Sequence, residues 1–447
     1  VSESVRGDAG QTSSIRTVAT ASLVGTSIEW YDFFAFAAAS ALVFNRIFFP
    51  NFSEAAGTLA AFATFGVAFF ARPFGGVLFG HFGDRVGRKS MLITTLLLMG
   101  FSTFCVGLLP TYASIGILAP ILLVVLRLLQ GLSVGGEWGG AILMSTEHAS
   151  DDNRNFYGSF PQLGSPVGSI LSSSMFILVG LLPDEQFFAW GWRVPFLLSA
   201  ILIVVGLYVR LKIEESPAFS QMKETQSESR IPILDVLRDH PVASVLGVGV
   251  VFYSIGGFYL TNTYALSYAT GQLDVGRSVM LIGVFIASVV QIFGTIASGK
   301  LADRFGRRGM ALGSALAVSL LPFPFFLLIN TQVTALIWIA YALVGFFGGA
   351  LYALVGVLLA GLYATRLRYS GISFGYQVGG MVSGALAPAA AAVLVAAAGG
   401  SYWPAAALLN TYALISLICI YLVSATRFQQ GTYDNRTYDR DTVEGRA

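Results

Sequence analysis

The sequence predicts an all-α polytopic membrane protein, with twelve transmembrane helices in two six-helix bundles. Three observations carry that prediction. Charged residues make up 11% of the chain and hydrophobic ones 55%, at a mean hydropathy of +0.72, whereas soluble domains carry about 25% charged residues. The apolar residues form long continuous runs without strict alternation, as membrane helices do and barrel strands do not. A polar loop signature also occurs twice, at a constant offset of 219 residues.

The runs divide into spans at 18–48, 56–82, 90–110, 116–148, 156–182, 191–212, 241–270, 276–301, 309–329, 333–364, 371–398 and 403–426. A bilayer core of about 30 Å takes roughly 20 helical residues to cross. The first 17 residues are polar and no cleavage site follows the first apolar run. That run is therefore expected to stay as a helix and not to leave as a signal peptide. With both termini cytoplasmic, the outer segments hold only Arg46, Arg193 and Arg277, and nearly every other Lys and Arg falls inside. That is the positive-inside bias. The one long polar linker, 213–240, separates a first bundle (1–212) from a second (241–447, with a short cytoplasmic tail). Pro161, Pro166, Pro322, Pro324 and Pro388 are expected to kink their helices.

The repeated signature is Gly80, Asp84, Arg85, Gly87, Arg88 and Lys89, matched by Gly299, Asp303, Arg304, Gly306, Arg307 and Arg308. Each copy joins the second and third spans of its half, which points to two homologous bundles. Physically it is a tight glycine turn with an Asp able to cap a helix and arginines kept in the cytosol.

These loops match the Gly-x-x-x-Asp-Arg-x-Gly-Arg-Arg/Lys hallmark, and the chain resembles the major facilitator superfamily. Within it the chain is similar to the metabolite:proton symporters. The matching pieces run from Glu29 to Phe33, from Arg72 through Gly76, from Arg127 through Gly140, from Trp192 to Phe196, and from Glu215 to Phe219. His81 to Asp84 and Ile142 to His148 look closest to the shikimate-like branch. The second loop departs from the hallmark with Ala302 where a glycine is usual. The resemblance implies a multi-pass protein of the bacterial inner membrane that takes up shikimate, oxoglutarate, citrate, aromatic acids, or proline and betaine. It also implies a gating role for Asp84, Arg85 and Arg88, and for Asp303, Arg304 and Arg307.

Five ionisable residues lie at membrane depth, all in the first half: Glu29, Asp32, Arg72, Arg127 and Glu137. Such residues are expensive in a bilayer and mark function. Glu29 and Asp32 are three apart and share a helix face. Counted at about 1.5 Å per residue, Asp32 lies near the middle of its span. Glu29, Arg72 and Glu137 lie about a turn to the cytoplasmic side, and Arg127 lies nearer the outer exit. Three acids against two bases leave one negative charge unbalanced, and a bound proton removes it. Asp32, Glu29 and Glu137 are therefore the proton-coupling candidates, with Asp32 foremost. Arg127 and Arg72 are the candidate carboxylate ligands. The competing reading is a set of helix-locking pairs, with Glu137 or Glu29 against Arg72.

Substrate contacts are also expected from Tyr31, Gln162, Tyr253, Tyr376 and Gln377, which interrupt apolar runs. The seventh span adds Phe252, Tyr259, Asn262, Tyr264 and Tyr268, and the eighth adds Gln291. Aromatic rings with a few amides suit a small polar molecule with an apolar ring or chain. A core hydroxyl satisfied by its neighbours is the alternative for each tyrosine.

No Gly-rich loop with Lys-Ser/Thr is present, so ATP drive is not expected. His81, His148 and His240 lack metal-ligand spacing, and Cys105 and Cys419 sit in apolar segments without a disulfide framework. No nucleophile–base pair argues for an enzyme. The expectation is a monomeric secondary transporter without cofactor, driven by the proton gradient, carrying a small organic acid by alternating access. Its partners are that acid, the proton and the lipid bilayer, with no nucleic acid. Proton-coupled uptake of a zwitterionic osmolyte is the alternative, and the tail after Arg427 shows no heptads of an osmosensing coil. A channel or receptor is the reading from another class.

Overall fold

The computed structural model describes residues 15–86, 88–135, 156, 159–212, 232–363 and 367–425. Among these residues every regular element is helical. The long helices are α1 (Ile15–Leu42), α2 (Glu54–Val86), α3 (Arg88–Leu108), α4 (Leu118–Val134), α5 (Gly164–Gly180) and α6 (Val194–Lys212). They continue as α7 (Pro241–Gln272), α8 (Arg277–Phe305), α9 (Arg307–Asn330), α10 (Thr334–Ala360), α11 (Ser370–Ala397) and α12 (Trp403–Ala425). These match the twelve predicted spans in order. Among the described residues, eight stretches are long and apolar enough to cross a membrane, and α3, α4 and α5 carry shorter apolar stretches. Of the predicted linker, 213–231 lies outside the described residues, and Pro232–Asp239 is a short helix leading into α7.

The internal repeat reappears as a repeated pattern of packing. α1 packs on α5, α2 on α4, and α3 on α6; six helices later α7 packs on α11, α8 on α10, and α9 on α12. Lipid gives helices no hydrophobic reason to associate, so small residues that let backbones meet decide these pairs. Gly131 on α4 lies against the backbone of Ala68 on α2, and Gly345 on α10 lies against the backbone of Ala287 on α8. A Cβ at either place would collide with main chain. The first half meets the second chiefly through α5 against α8 and α2 against α11, with α1 touching α7.

The expected proline kinks are mostly helix starts. Pro322 opens the second segment of α9 after a break at Leu321, and Pro388 sits in the first turn of Ala387–Ala397. Pro166 is in the first turn of α5, and Pro161 opens the 3-10 turn before it. At these places the missing N–H and the fixed φ cost little. The irregularity lies elsewhere. α7 contains two π-helical segments, Tyr253–Gly257 and Leu260–Tyr264, and α11 contains a third, Gly380–Gly384. None of them holds a proline.

Candidate functional site

α1 runs as a regular helix, so residues three and four apart lie on one face. Glu29, Asp32, Phe33 and Phe36 are all buried in its middle. The Phe33 ring is shared by two arginines. The Arg72 guanidinium carbon lies 4.1 Å from its centroid and that of Arg127 lies 4.4 Å away. Arg72 also covers Phe69 at 4.4 Å, and Arg127 covers Phe36 at 4.1 Å. Aromatic faces thus replace part of the hydration that both cations lose.

Polar partners satisfy only part of this cluster. Arg127 is fully buried; its Nη1 donates to Gln130 Oε1 at 3.0 Å and its Nε reaches Phe65 O at 3.4 Å. Gln130 Nε2 in turn donates to Thr103 Oγ1 at 2.6 Å. Arg127 Nη2, Arg72 Nε and both carboxyl oxygens of Asp32 have no hydrogen-bond partner among the described residues. Asp32 lies within electrostatic range of Arg127 and Glu29, and next to Thr103, whose hydroxyl proton goes to Met99 O at 3.1 Å. Buried polar groups are nearly always paired. Unpaired donors and acceptors gathered in one place fit a site that receives a group from outside the chain.

The depth estimate separates Arg127 from the other four residues. The structure brings it to the same phenylalanine as Arg72. Helices cross one another, so residue counts along separate spans share no origin. The long arginine side chain then closes the remaining distance.

The second half supplies a residue that the sequence did not single out. Tyr259 of α7 sits among Phe65 (4.8 Å between centroids), Phe69 (5.5 Å) and Phe34 (6.4 Å) of the first half. Its hydroxyl is buried without a partner, in the field of Arg72 and Arg127. In the sequence it is one tyrosine among several in the seventh span; only the position of α7 against α1 and α2 distinguishes it. Tyr376 is buried with its hydroxyl 3.0 Å from that of Tyr352. Gln377 donates from Nε2 to Gly135 O across the halves at 3.1 Å and leaves Oε1 without a partner.

Tyr31 donates its hydroxyl to Pro195 O at 2.6 Å, which ties α1 to the start of α6. Gln162 is fully buried on the 3-10 turn Pro161–Leu163, which packs on α1. Tyr253 lines a cavity inside the second half. Glu137 lies outside the described residues, as do Glu147 and His148 and the side chains of Asp84, Arg85 and Arg88.

Both ends of the path are bridged between the halves. Asp303 Oδ2 accepts from the Phe156 backbone N–H at 3.1 Å. Arg304 is exposed with its guanidinium 5.3 Å from the Phe305 ring, and Arg307 is half-buried at the start of α9. At the opposite end of α8, Arg277 donates to Gly180 O from Nε (3.1 Å) and Nη2 (2.9 Å), to Leu182 O at 2.8 Å, and to Asp184 Oδ1 at 2.6 Å. Between these ends, Ser288 of α8 donates to Ser169 of α5 at 2.7 Å. The charged cluster is thus enclosed on both sides.

Comparison with known proteins agrees with this architecture. The family described as the Major Facilitator Superfamily matches residues 23–374. The chain is similar to the inner membrane metabolite transport protein YhjE of Escherichia coli K12, at 41% identity over 92% of this chain and 94% of that one. It is similar to the shikimate transporter of the same organism, at 41% identity over 91% and 94%. A proline/betaine transporter of Salmonella typhimurium is 33% identical over 90% and 82%. Among solved structures, a D-xylose-proton symporter shares the fold with a TM-score of 0.67 over 90% of this chain and 97% of that one, at 20% identity. The conclusion follows from the helices, the repeated loops and these relatives together: this chain is a multi-pass membrane transporter of the major facilitator superfamily, in its metabolite:proton symporter family.

Proposed function

We propose that the chain carries a small organic anion into the cell together with a proton, by alternating access, without a cofactor. One observation supports this reading above the others. Asp32, Arg72 and Arg127 are buried around Phe33, and each has polar atoms without a hydrogen-bond partner among the described residues. Protonation of Asp32 removes one negative charge from beside the two arginines. A carboxylate then completes the cluster. When Asp32 is ionised, its own carboxylate supplies that negative charge and the anion loses its reason to stay. Proton and substrate therefore favour each other, as reciprocal linkage requires.

In this reading Asp32 is the proton carrier, and Arg127 and Arg72 hold the substrate carboxylate. The bundles 1–212 and 241–447 rock about the site, joined by 213–240, with both termini cytoplasmic and the protein acting as a monomer. The relatives named for shikimate and for proline or betaine frame the choice of substrate. The negative charge that protonation removes is restored by an anion and not by a zwitterion, which brings no net charge. The test is uptake of labelled shikimate and of labelled glycine betaine into proteoliposomes. Shikimate uptake is expected to rise with an inward acid gradient and to collapse with a protonophore. Betaine uptake alone, or uptake indifferent to both treatments, would reject the proposal.

A further inference from the structure

The aromatic contacts of Arg127 leave one freedom open. Phe33 and Phe36 lie 4.4 and 4.1 Å from its guanidinium carbon, with Phe65 at 5.1 Å. Aromatic faces attract the cation as a whole. They do not decide which nitrogen points where. Hydrogen bonds decide that. Nε reaches Phe65 O at 3.4 Å, which is long, and Nη1 donates to Gln130 Oε1 at 3.0 Å. Nη2 is left without a partner among the described residues. The direction of Nη2 therefore depends on Gln130 offering its oxygen to Arg127 and not its NH2 group.

A glutamine amide has no such preference of its own, because its two ends are alike in size and only the surrounding hydrogen bonds tell them apart. Thr103 of α3 tells them apart here. Its Oγ1 lies 2.6 Å from Gln130 Nε2, and its one proton goes to Met99 O at 3.1 Å. Asp32 lies beside the same hydroxyl. Whichever of these two acceptors takes the proton, the hydroxyl can only accept from Gln130. The amide nitrogen must then face α3, and the oxygen must face Arg127. Thr103, Gln130 and Arg127 are all fully buried, so bulk water does not compete for these contacts. Thr103 belongs to none of the motif pieces read from the sequence.

We infer that Thr103 is a positioning residue for the substrate carboxylate: it fixes the amide of Gln130, which holds Arg127 with Nη2 turned to the anion. This rests on the reading of Arg127 as the anion site and adds what keeps that site in register. Without the hydroxyl, the amide is free to turn over and set its NH2 group against the guanidinium, donor against donor. Arg127 then swings among its rings and Nη2 leaves its place.

The experiment is shikimate binding to the full chain in detergent, by calorimetry, with thermal unfolding recorded for each variant. Thr103→Val keeps the shape and removes the hydroxyl, and it should weaken shikimate by roughly 5-fold, the worth of one hydrogen bond. Thr103→Ser should restore most of that loss. Thr103→Ala makes the same comparison if the valine protein does not fold. Gln130→Ala should also weaken binding, and adding Thr103→Val to it should cost nothing more, because the hydroxyl acts only through the amide. Wild-type affinity in Thr103→Val and Thr103→Ala, equal losses in Thr103→Ser and Thr103→Val, or losses that add in the double variant would each overturn the positioning role. Arg127→Ala separates the two readings. Weakened binding there with an unaffected Thr103→Val overturns the positioning alone, whereas unchanged binding in Arg127→Ala overturns the anion site and the positioning with it.

Discussion

On the proposed topology with both termini cytoplasmic, removing the Arg277 side chain should open the outer end of the carrier. Arg277 starts α8 and grips the end of α5 through two backbone carbonyls, Gly180 O and Leu182 O, as well as Asp184. Its side chain is 21% exposed, whereas that of Asp184 is 75% exposed. The ion pair with an exposed carboxylate is therefore worth about 0–1 kcal/mol. Hydrogen bonds from a charged donor to sheltered carbonyls are worth about 1.5–3 kcal/mol. Most of the latch thus lies in the carbonyls. Arg277→Ala should shift the equilibrium toward the outward-open state by about 3 kcal/mol, near 100-fold, and Asp184→Asn by no more than about 5-fold. Leu281 provides the reporter, since it is 1% exposed and faces Gly180 across the α5–α8 contact. A Leu281→Cys protein with Cys105 and Cys419 replaced by Ala should react with a membrane-impermeant maleimide much faster when Arg277→Ala is added. Equal rates with and without Arg277, or an equal effect from Asp184→Asn, would refute the carbonyl latch.

Three further outcomes are expected. Asp32→Asn mimics the proton-loaded form, so it should retain substrate binding and counterflow exchange while losing accumulation driven by an acid-outside gradient; accumulation that persists would move the proton site to Glu29 or Glu137. Arg127→Ala should weaken shikimate binding by roughly 10- to 100-fold, from the loss of one charge-assisted contact, and Arg127→Lys should recover only part, because it lacks the planar fork; calorimetry separates the two. Tyr259→Phe removes a hydroxyl that has no partner, so thermal stability should not fall, whereas substrate affinity should, if that hydroxyl meets the substrate; unchanged affinity would make Tyr259 a packing residue only.

Much of this organisation is legible before any coordinates. Span count and order follow from apolar length, and the doubled loop motif anticipates the doubled helix pairing. Charge at membrane depth picks out Asp32, Arg72 and Arg127, because few residues in a bilayer are ionisable without reason. What hid from the sequence depends on contacts between distant segments. Tyr259 and Tyr264 look alike along α7, and only the packing of α7 against α1 and α2 gives one of them the arginines. Tyr31 sits in the most informative motif, yet its hydroxyl is taken up by Pro195 O. Proline marked helix starts because its ring suits a first turn. The actual distortions are the wider turns of α7 and α11, two of the three in segments that contain glycine.

Those wider turns have a consequence for how work is divided in the molecule. Among the described residues, the buried charges of the membrane core are confined to the first half and the π-helical segments to the second. A π turn holds a residue more than the two neighbouring α turns would share, and it can pass that surplus along the helix like a crease moved through cloth. Phe258 and Tyr259 lie between two such creases. Moving either one swivels these rings without breaking the helix. The first half then acts as an anvil that keeps the charges in register, and the second as the part that yields. Amide hydrogen exchange should record this as faster opening at 253–264 and 380–384 than in the middle of α1.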